Sequence, residues 1–372
     1  MGIVLKRLLQ TIKEYHGTGM TAQPGSGQKH FVFINKLRLL ILAVAMAGLW
    51  YLAAPGVLGP EEDLLWERVR AAQLHLSEWR QLNGTVTAPD SDPWSCGLIG
   101  LEWSGITTTL GELTSKRTAC NPAWAVQFSR WFRQLGLKPG DHIAIYSSGS
   151  FPGLLLNALA AAEAAQLEPL LIVSLGASTW GANHPEVPWP VLAAELRSKG
   201  FIRKRADYYT LGGGAELGHG LAPESEALLR AVTKGAGVEL LTAVSLEEMI
   251  MRKVELLQGF QPRLLINIGG SQANLGDAEE VLRLQTGLVP ANDINQAGNG
   301  VIGFAMRKDI PVIHMLHIKS ISNRVGIPYD SPPRKIGPAQ VSVGWSIIGL
   351  ALFFTVMFIH RRWRLEPADR MD

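Results

Sequence analysis

Residues 143–158 read IAIYSSGSFPGLLLNA, a polar Ser-Ser-Gly-Ser turn between an apolar run and a Leu/Ala-rich one. Three kinds of chemistry fit such a turn. A serine at a sharp strand-to-helix elbow is a nucleophile when a histidine base is in reach, which makes Ser150 the candidate and His184 or His219 its base. Backbone amides at a helix start receive an anion such as a carboxylate, a role for Ser148, Gly149 and Ser150. The third use is structural, because glycine lets a parallel strand reach its crossover helix at no steric cost. The elbow pattern Gly-x-Ser-x-Gly is missing, since the glycines around Ser150 stand at 149 and 153.

Three further loops have the same character. LGASTWGANHPEVPW contributes Ser178 and Asn183, GGGAELGHG contributes Gly213 and Gly214, and GGSQANLGD contributes Gly269 and Gly270 as candidate ligand-binding residues. The triple glycine lacks the G-x-G-x-x-G spacing of a dinucleotide fingerprint, and no P-loop lysine motif occurs, so nucleotide hydrolysis is not expected. No Cys/His spacing suits zinc, and neither a metal nor a cofactor is expected. Glu102 and Asp277 are carboxylates of interest, with caps or salt-bridge partners as their plainer reading. His314 and His317, inside IPVIHMLHI, read as core residues.

The elements that hold these loops alternate. HIAIY, LEPLLIVS, ADYYTL and RLLINI are expected strands, each followed by a Gly/Ser/Asn-rich loop and then a helix, the last of these near 278–284. Strands alternating with helices predict an α/β domain with a mainly parallel sheet and flanking helices. All four loops then follow the carboxyl ends of strands, the edge at which open α/β sheets bind ligands. Ahead of them, Asn121-Pro122 starts a helix over AWAVQFSRWFRQL, which Gly136 stops. Leu65, Val69, Ala72, Leu76 and Trp79 form one apolar stripe along a helix in the 55–82 segment, suited to packing on the protein's own domain.

Two segments break the globular pattern of a 372-residue chain that is 47% apolar. Residues 341–359 carry no ionisable side chain and reach roughly 28 Å as a helix, close to the hydrocarbon thickness of a bilayer. Residues 37–54 form a second expected span, with Arg38 snorkelling and Trp50 and Tyr51 at the far interface. Basic residues gather in the flanking segments 1–36 and 360–372, which places both termini in the cytoplasm and a 96–335 domain outside it. The net charge of +3 arises from those flanks, and the domain between them is mildly acidic, which argues against a nucleic-acid partner. Cys96 and Cys120 are either a disulfide of an oxidising compartment or two buried thiols.

LEWSGITTTLGELTSKRTACNP, YSSGSFPGLLLNALAAAEA, VSLGASTWGANHPEVPW, the glycine loop at 212–220 and INIGG together resemble the bacterial poly-γ-glutamate system proteins, over about residues 98–330. The resemblance implies a membrane protein that helps to make, export or anchor this anionic exopolymer of capsules. Its implied partners are the poly-γ-glutamate ligase and membrane subunits, the polymer and the lipid bilayer. The resemblance brings no catalytic mechanism, and without a P-loop the chain is not the ATP-using ligase. The first expectation is an accessory subunit that binds polymer or partner subunits through the Gly/Ser-rich loops. The others are an extracytoplasmic hydrolase or transferase with a serine nucleophile, and a membrane-anchored scaffold or sensor.

Overall fold

The computed structural model describes residues 58–335 apart from 86–87 and 290–296, together with helical residues at 40, 42, 44, 348–349, 351–356 and 358. The chain divides into two compact units, Pro55–Gln340 and the pairing of Met1–Ala54 with Val341–Asp372. The expected spans over 37–54 and 341–359 lie mostly outside the described residues, as do the flanks 1–36 and 360–372 entirely. Among the described residues no helix is long and apolar enough to cross a membrane.

The larger unit is an α/β fold. Its sheet contains β2 (His142–Ser148), β3 (Glu168–Ser174), β5 (Tyr208–Thr210), β6 (Glu239–Leu240), β7 (Leu265–Ile268), β8 (Gly287–Val289) and β9 (Val312–Met315), in the order β6-β5-β3-β2-β7-β9-β8. Every pairing is parallel except that of β8 with β9. Buried on both faces, such strands read as continuous apolar runs, and β3 is buried at every position after Glu168. From β2 the chain moves outward through β3, β5 and β6, then returns to place β7 on the other side of β2. The carboxyl ends of β2 and β7 therefore form the switch point of the sheet, where a crevice opens. A separate parallel pair joins β1 (Thr107–Thr109) to β4 (Ala177–Ser178) just beyond the end of β3.

The alternation of strand side chains assigns the two cores. Ile143 and Ile145, Leu171 and Val173, and Ile266 and Ile268 pack with α1 (Pro60–Leu82), α3 (Ala123–Gln134), α4 (Pro152–Ala164), α5 (Trp189–Ser198) and α10 (Ile318–Val325). Ala144, Tyr146, Leu170, Ile172 and Leu265 pack on the opposite face with α7 (Leu246–Phe260) and α9 (Val301–Arg307). The α6 helix (Pro223–Ala236) covers the sheet through Leu229. On α1, Leu65, Val69, Ala72 and Leu76 are buried, and Glu62 accepts from Arg130 at 2.8 Å and also from Arg133 of α3. Burial would raise the Glu62 pKa, but these two guanidiniums hold it at about 2.

Two short helices complete the ligand edge: α2 (Leu113–Ala119) and α8 (Gln272–Leu275). The helix expected near 278–284 is instead a single 3₁₀ turn, Glu279–Arg283, that follows α8. Gly276 separates the two, with φ of 85° and a backbone so close to Asn299 that a Cβ would lie 2.0 Å from Oδ1.

Candidate functional site

The loops that follow β2, β3, β5, β7 and β9 converge on one cavity of about 850 Å³ at the carboxyl edge of the sheet. The segment Thr108–Lys116, which runs from β1 into α2, forms its remaining wall. Small residues make the convergence possible. A Cβ on Gly111 would lie 2.9 Å from Ser178 Oγ and 3.2 Å from Lys116 Cε, so a side chain there would displace both. Gly111 is held in place by Thr179, whose Oγ1 accepts from the Gly111 amide at 2.7 Å and donates to its carbonyl at 2.8 Å.

Lys116 is the group that stands out chemically. It projects from α2 into the wall, is 3% exposed, and places Nζ 2.7 Å from Ser178 Oγ and 2.6 Å from the carbonyl oxygen of Ser150. The Phe151 ring centroid lies 3.6 Å from Nζ. Among the described residues no carboxylate comes within ion-pair distance of it. Burial without a counter-charge disfavours the ammonium and lowers the Lys116 pKa from 10.5 to about 7, with the neighbouring Cys120 acting weakly in the opposite sense. A neutral amine has two N–H donors and one lone pair. With one N–H on the Ser150 carbonyl, the lone pair is free to accept the Ser178 hydroxyl proton. This is the geometry of a serine nucleophile with a lysine base.

Ser150 supports this arrangement from the side. Its Oγ accepts from the Ser178 amide at 2.9 Å while its carbonyl receives Lys116, so the Ser-Ser-Gly-Ser turn ties the end of β2 to β4 and α2. The Gly149 amide is already bonded to the Ser174 carbonyl at 2.7 Å, and its own carbonyl accepts from Ala182 at 2.8 Å. Gly149 is therefore part of the turn's framework and not a free anion donor. Neither His184 nor His219 lines the cavity. His184 is half-buried, with burial and then Arg80 lowering its pKa, and His219 is exposed.

A second polar cluster forms the cavity floor. Glu216 and Lys253 are a fully buried ion pair, with Nζ 2.6 Å and 2.7 Å from the two carboxylate oxygens. Ser174 Oγ donates to the same carboxylate at 2.8 Å, Thr210 Oγ1 at 2.7 Å, and Ser271 Oγ donates as well. Burial favours the neutral acid, yet Lys253 and these hydroxyls hold the Glu216 pKa below its ordinary value. To deliver the carboxylate inward, the chain takes left-handed φ at two consecutive non-glycine residues, Ala215 (55°) and Glu216 (61°). Lys253 passes the network on to Asn274 at 3.0 Å, and Asn274 donates to Asn267 at 2.8 Å. Asn267 lies 3.1 Å from Nδ1 of His314, whose pKa burial lowers to about 4.

The remaining candidates divide between lining and support. Ser148, Ser150, Ser178, Gly213, Gly214 and Gly270 line the cavity. Gly269, with φ of 90°, makes room for Ser148, since a Cβ there would lie 2.2 Å from Ser148 Oγ. Asn183 is fully buried outside the cavity, donating to Leu101 O and Thr107 Oγ1 and accepting from the Leu101 amide, each at 2.8 Å. Asp277 caps its neighbourhood through Asn299 at 2.5 Å, Glu102 is exposed, and His317 lies on the cavity wall. The chain matches no family model, no curated protein and no solved structure. Lys116, Glu216, Lys253 and Ser271 escaped the sequence reading. The only signal for Lys116 was its place within LEWSGITTTLGELTSKRTACNP, one of the strings that carry the family resemblance.

Proposed function

We propose that this chain is a membrane-anchored, extracytoplasmic hydrolase or transferase of poly-γ-glutamate production. In this reading Ser178 is the nucleophile and Lys116 the general base. The motif resemblance supports the polymer and the partners, namely the ligase and membrane subunits. The geometry supports the chemistry, and one observation carries it: a buried lysine with no carboxylate partner among the described residues has Nζ 2.7 Å from a serine hydroxyl that lines a large cavity. A solvated surface lysine near a serine would carry no such weight. Here burial leaves about half of the amine neutral at pH 7, the form that proton abstraction requires.

The steps follow from the residues. Ser178 Oγ attacks the carbonyl carbon of a γ-glutamyl amide as its proton passes to Lys116 Nζ. The tetrahedral intermediate collapses with cleavage of the C–N bond, and Lys116 returns the proton to the departing amine. Water then frees the acyl group from Ser178 in hydrolysis, whereas an acceptor amine takes it in transfer. Lys319 on the cavity wall supplies positive charge suited to a polyanion.

Incubating the detergent-solubilised full chain with poly-γ-glutamate, and following polymer length and released amine, tests the proposal. Wild type should shorten or transfer the polymer, while Ser178→Ala and Lys116→Met should each lose activity by about 10³-fold or more. Ser150→Ala keeps the carbonyl that receives Lys116 and loses only the Oγ that accepts from the Ser178 amide, so it should lower activity far less than either. A Ser178→Ala variant as active as wild type, or a wild type that leaves the polymer intact, overturns the catalytic reading. In the latter case polymer retention by the immobilised protein would favour a binding subunit.

A further inference from the structure

We infer that the cavity floor formed by Ser148, Ser174 and Ser271 is a subsite for a primary amino group of the substrate. The inference rests on the γ-glutamyl reading above and specifies which end of the substrate the cavity recognises.

The hydroxyl protons decide the matter. Glu216 accepts five hydrogen bonds, from Ser174, Thr210 and Ser271 and from Lys253 at both oxygens, so its carboxylate has no lone pair left for a ligand. Ser174 and Ser271 both line the cavity, yet each has its only hydroxyl proton committed to Glu216. Toward the cavity they present lone pairs alone. Ser148 lies beside Ser174 in the strand register, is 6% exposed, and its Oγ has no hydrogen-bond partner among the described residues. A buried hydroxyl without a partner is costly, and a ligand donor would satisfy it. Charge points the same way, because Glu216 lines the cavity while its partner Lys253 lies behind it. The negative end of the pair is thus the one nearer the cavity. Two oxygens that can only accept, together with the Ser148 hydroxyl accepting through its lone pairs, beside a carboxylate suit an ammonium, which has three donors and no acceptor. The free amino terminus of a γ-glutamyl chain is such a group, so the cavity would seat a chain end.

Titration calorimetry on the full-length Ser178→Ala protein, which removes turnover, compares γ-glutamylglutamate with glutarylglutamate, its analogue without the amine. The amine-bearing dipeptide should bind at least tenfold more tightly. Adding Ser148→Ala should reduce that preference several-fold without lowering the melting temperature, since this hydroxyl bonds to nothing among the described residues. Equal binding of the two probes, binding of neither, or an undiminished preference in the Ser148→Ala protein overturns the subsite. The two proposals separate cleanly. Wild-type turnover without amine preference removes the subsite alone, and amine-selective binding without turnover removes the catalytic reading alone.

Discussion

Replacing Lys116 with methionine should make the protein more stable and inactive at once, with a pH dependence that identifies the cause. In the unfolded chain a lysine keeps its proton up to about 10.5, whereas folded Lys116 releases it at about 7. Below pH 7 both states are protonated and the folded state bears the full cost of a buried ammonium, about 5 kcal/mol from the difference between the two values. Between pH 7 and 10.5 only the unfolded state holds the extra proton, so stability rises with pH by about 1.4 kcal/mol per unit. Methionine removes the charge at similar volume but forfeits the hydrogen bonds to Ser150 O and Ser178 Oγ, about 1 kcal/mol each. Lys116→Met should therefore exceed wild type by roughly 3 kcal/mol at pH 6, and that margin should shrink by about 2 kcal/mol by pH 8.5. Urea unfolding of both proteins, followed by tryptophan fluorescence at several pH values, measures the margin. Groups common to the two, including Cys96 and Tyr146, cancel in the comparison. Wild-type turnover should rise with pH through about 7 as the amine becomes neutral. A margin constant from pH 6 to 8.5 would refute the argument, because Lys116 would then titrate outside that window.

Glu216→Gln leaves Lys253 buried beside an uncharged amide and should cost about 3–5 kcal/mol, read as a lowered melting temperature. The double variant Glu216→Gln with Lys253→Met should recover a large part of that loss; no recovery would mean that the pair is not the source. The thiols of Cys96 and Cys120 lie 3.0 Å apart, so mild oxidation should couple them, closing the loop they bracket and stabilising the protein by about 3.5 kcal/mol. As the chain has only these two cysteines, a thiol count on the denatured oxidised protein decides this, and two remaining thiols would refute it.

Strands β2, β3, β5 and β7 and helices α1, α3, α4, α5 and α6 were legible because their patterns are local, whereas the short strands β1, β4, β6 and β8 and the helices α2 and α7–α10 were not read from the sequence. An apolar run such as LEPLLIVS bounded by turn residues has no other comfortable place than a buried parallel strand, and the Leu65-to-Leu76 stripe fixes the buried face of α1. The convergence of the strand-end loops also follows from alternation of strand and helix, since parallel strands place all such loops at one edge. What the sequence left open is pairing across distance. Nothing local to Lys116 marks it as buried, because its partners Ser150 and Ser178 are 34 and 62 residues away. Histidines were the natural bases to look for at a serine turn, yet the folded chain puts His184 and His219 outside the cavity and brings a lysine to Ser178. Glu216 and Lys253, 37 residues apart, likewise become a pair only when α7 packs under the glycine loop. A lysine's ordinary pKa is a property of its type, but its value of about 7 here is set by the water that α2, Phe151 and the Ser150 turn exclude, and only the tertiary structure determines that exclusion.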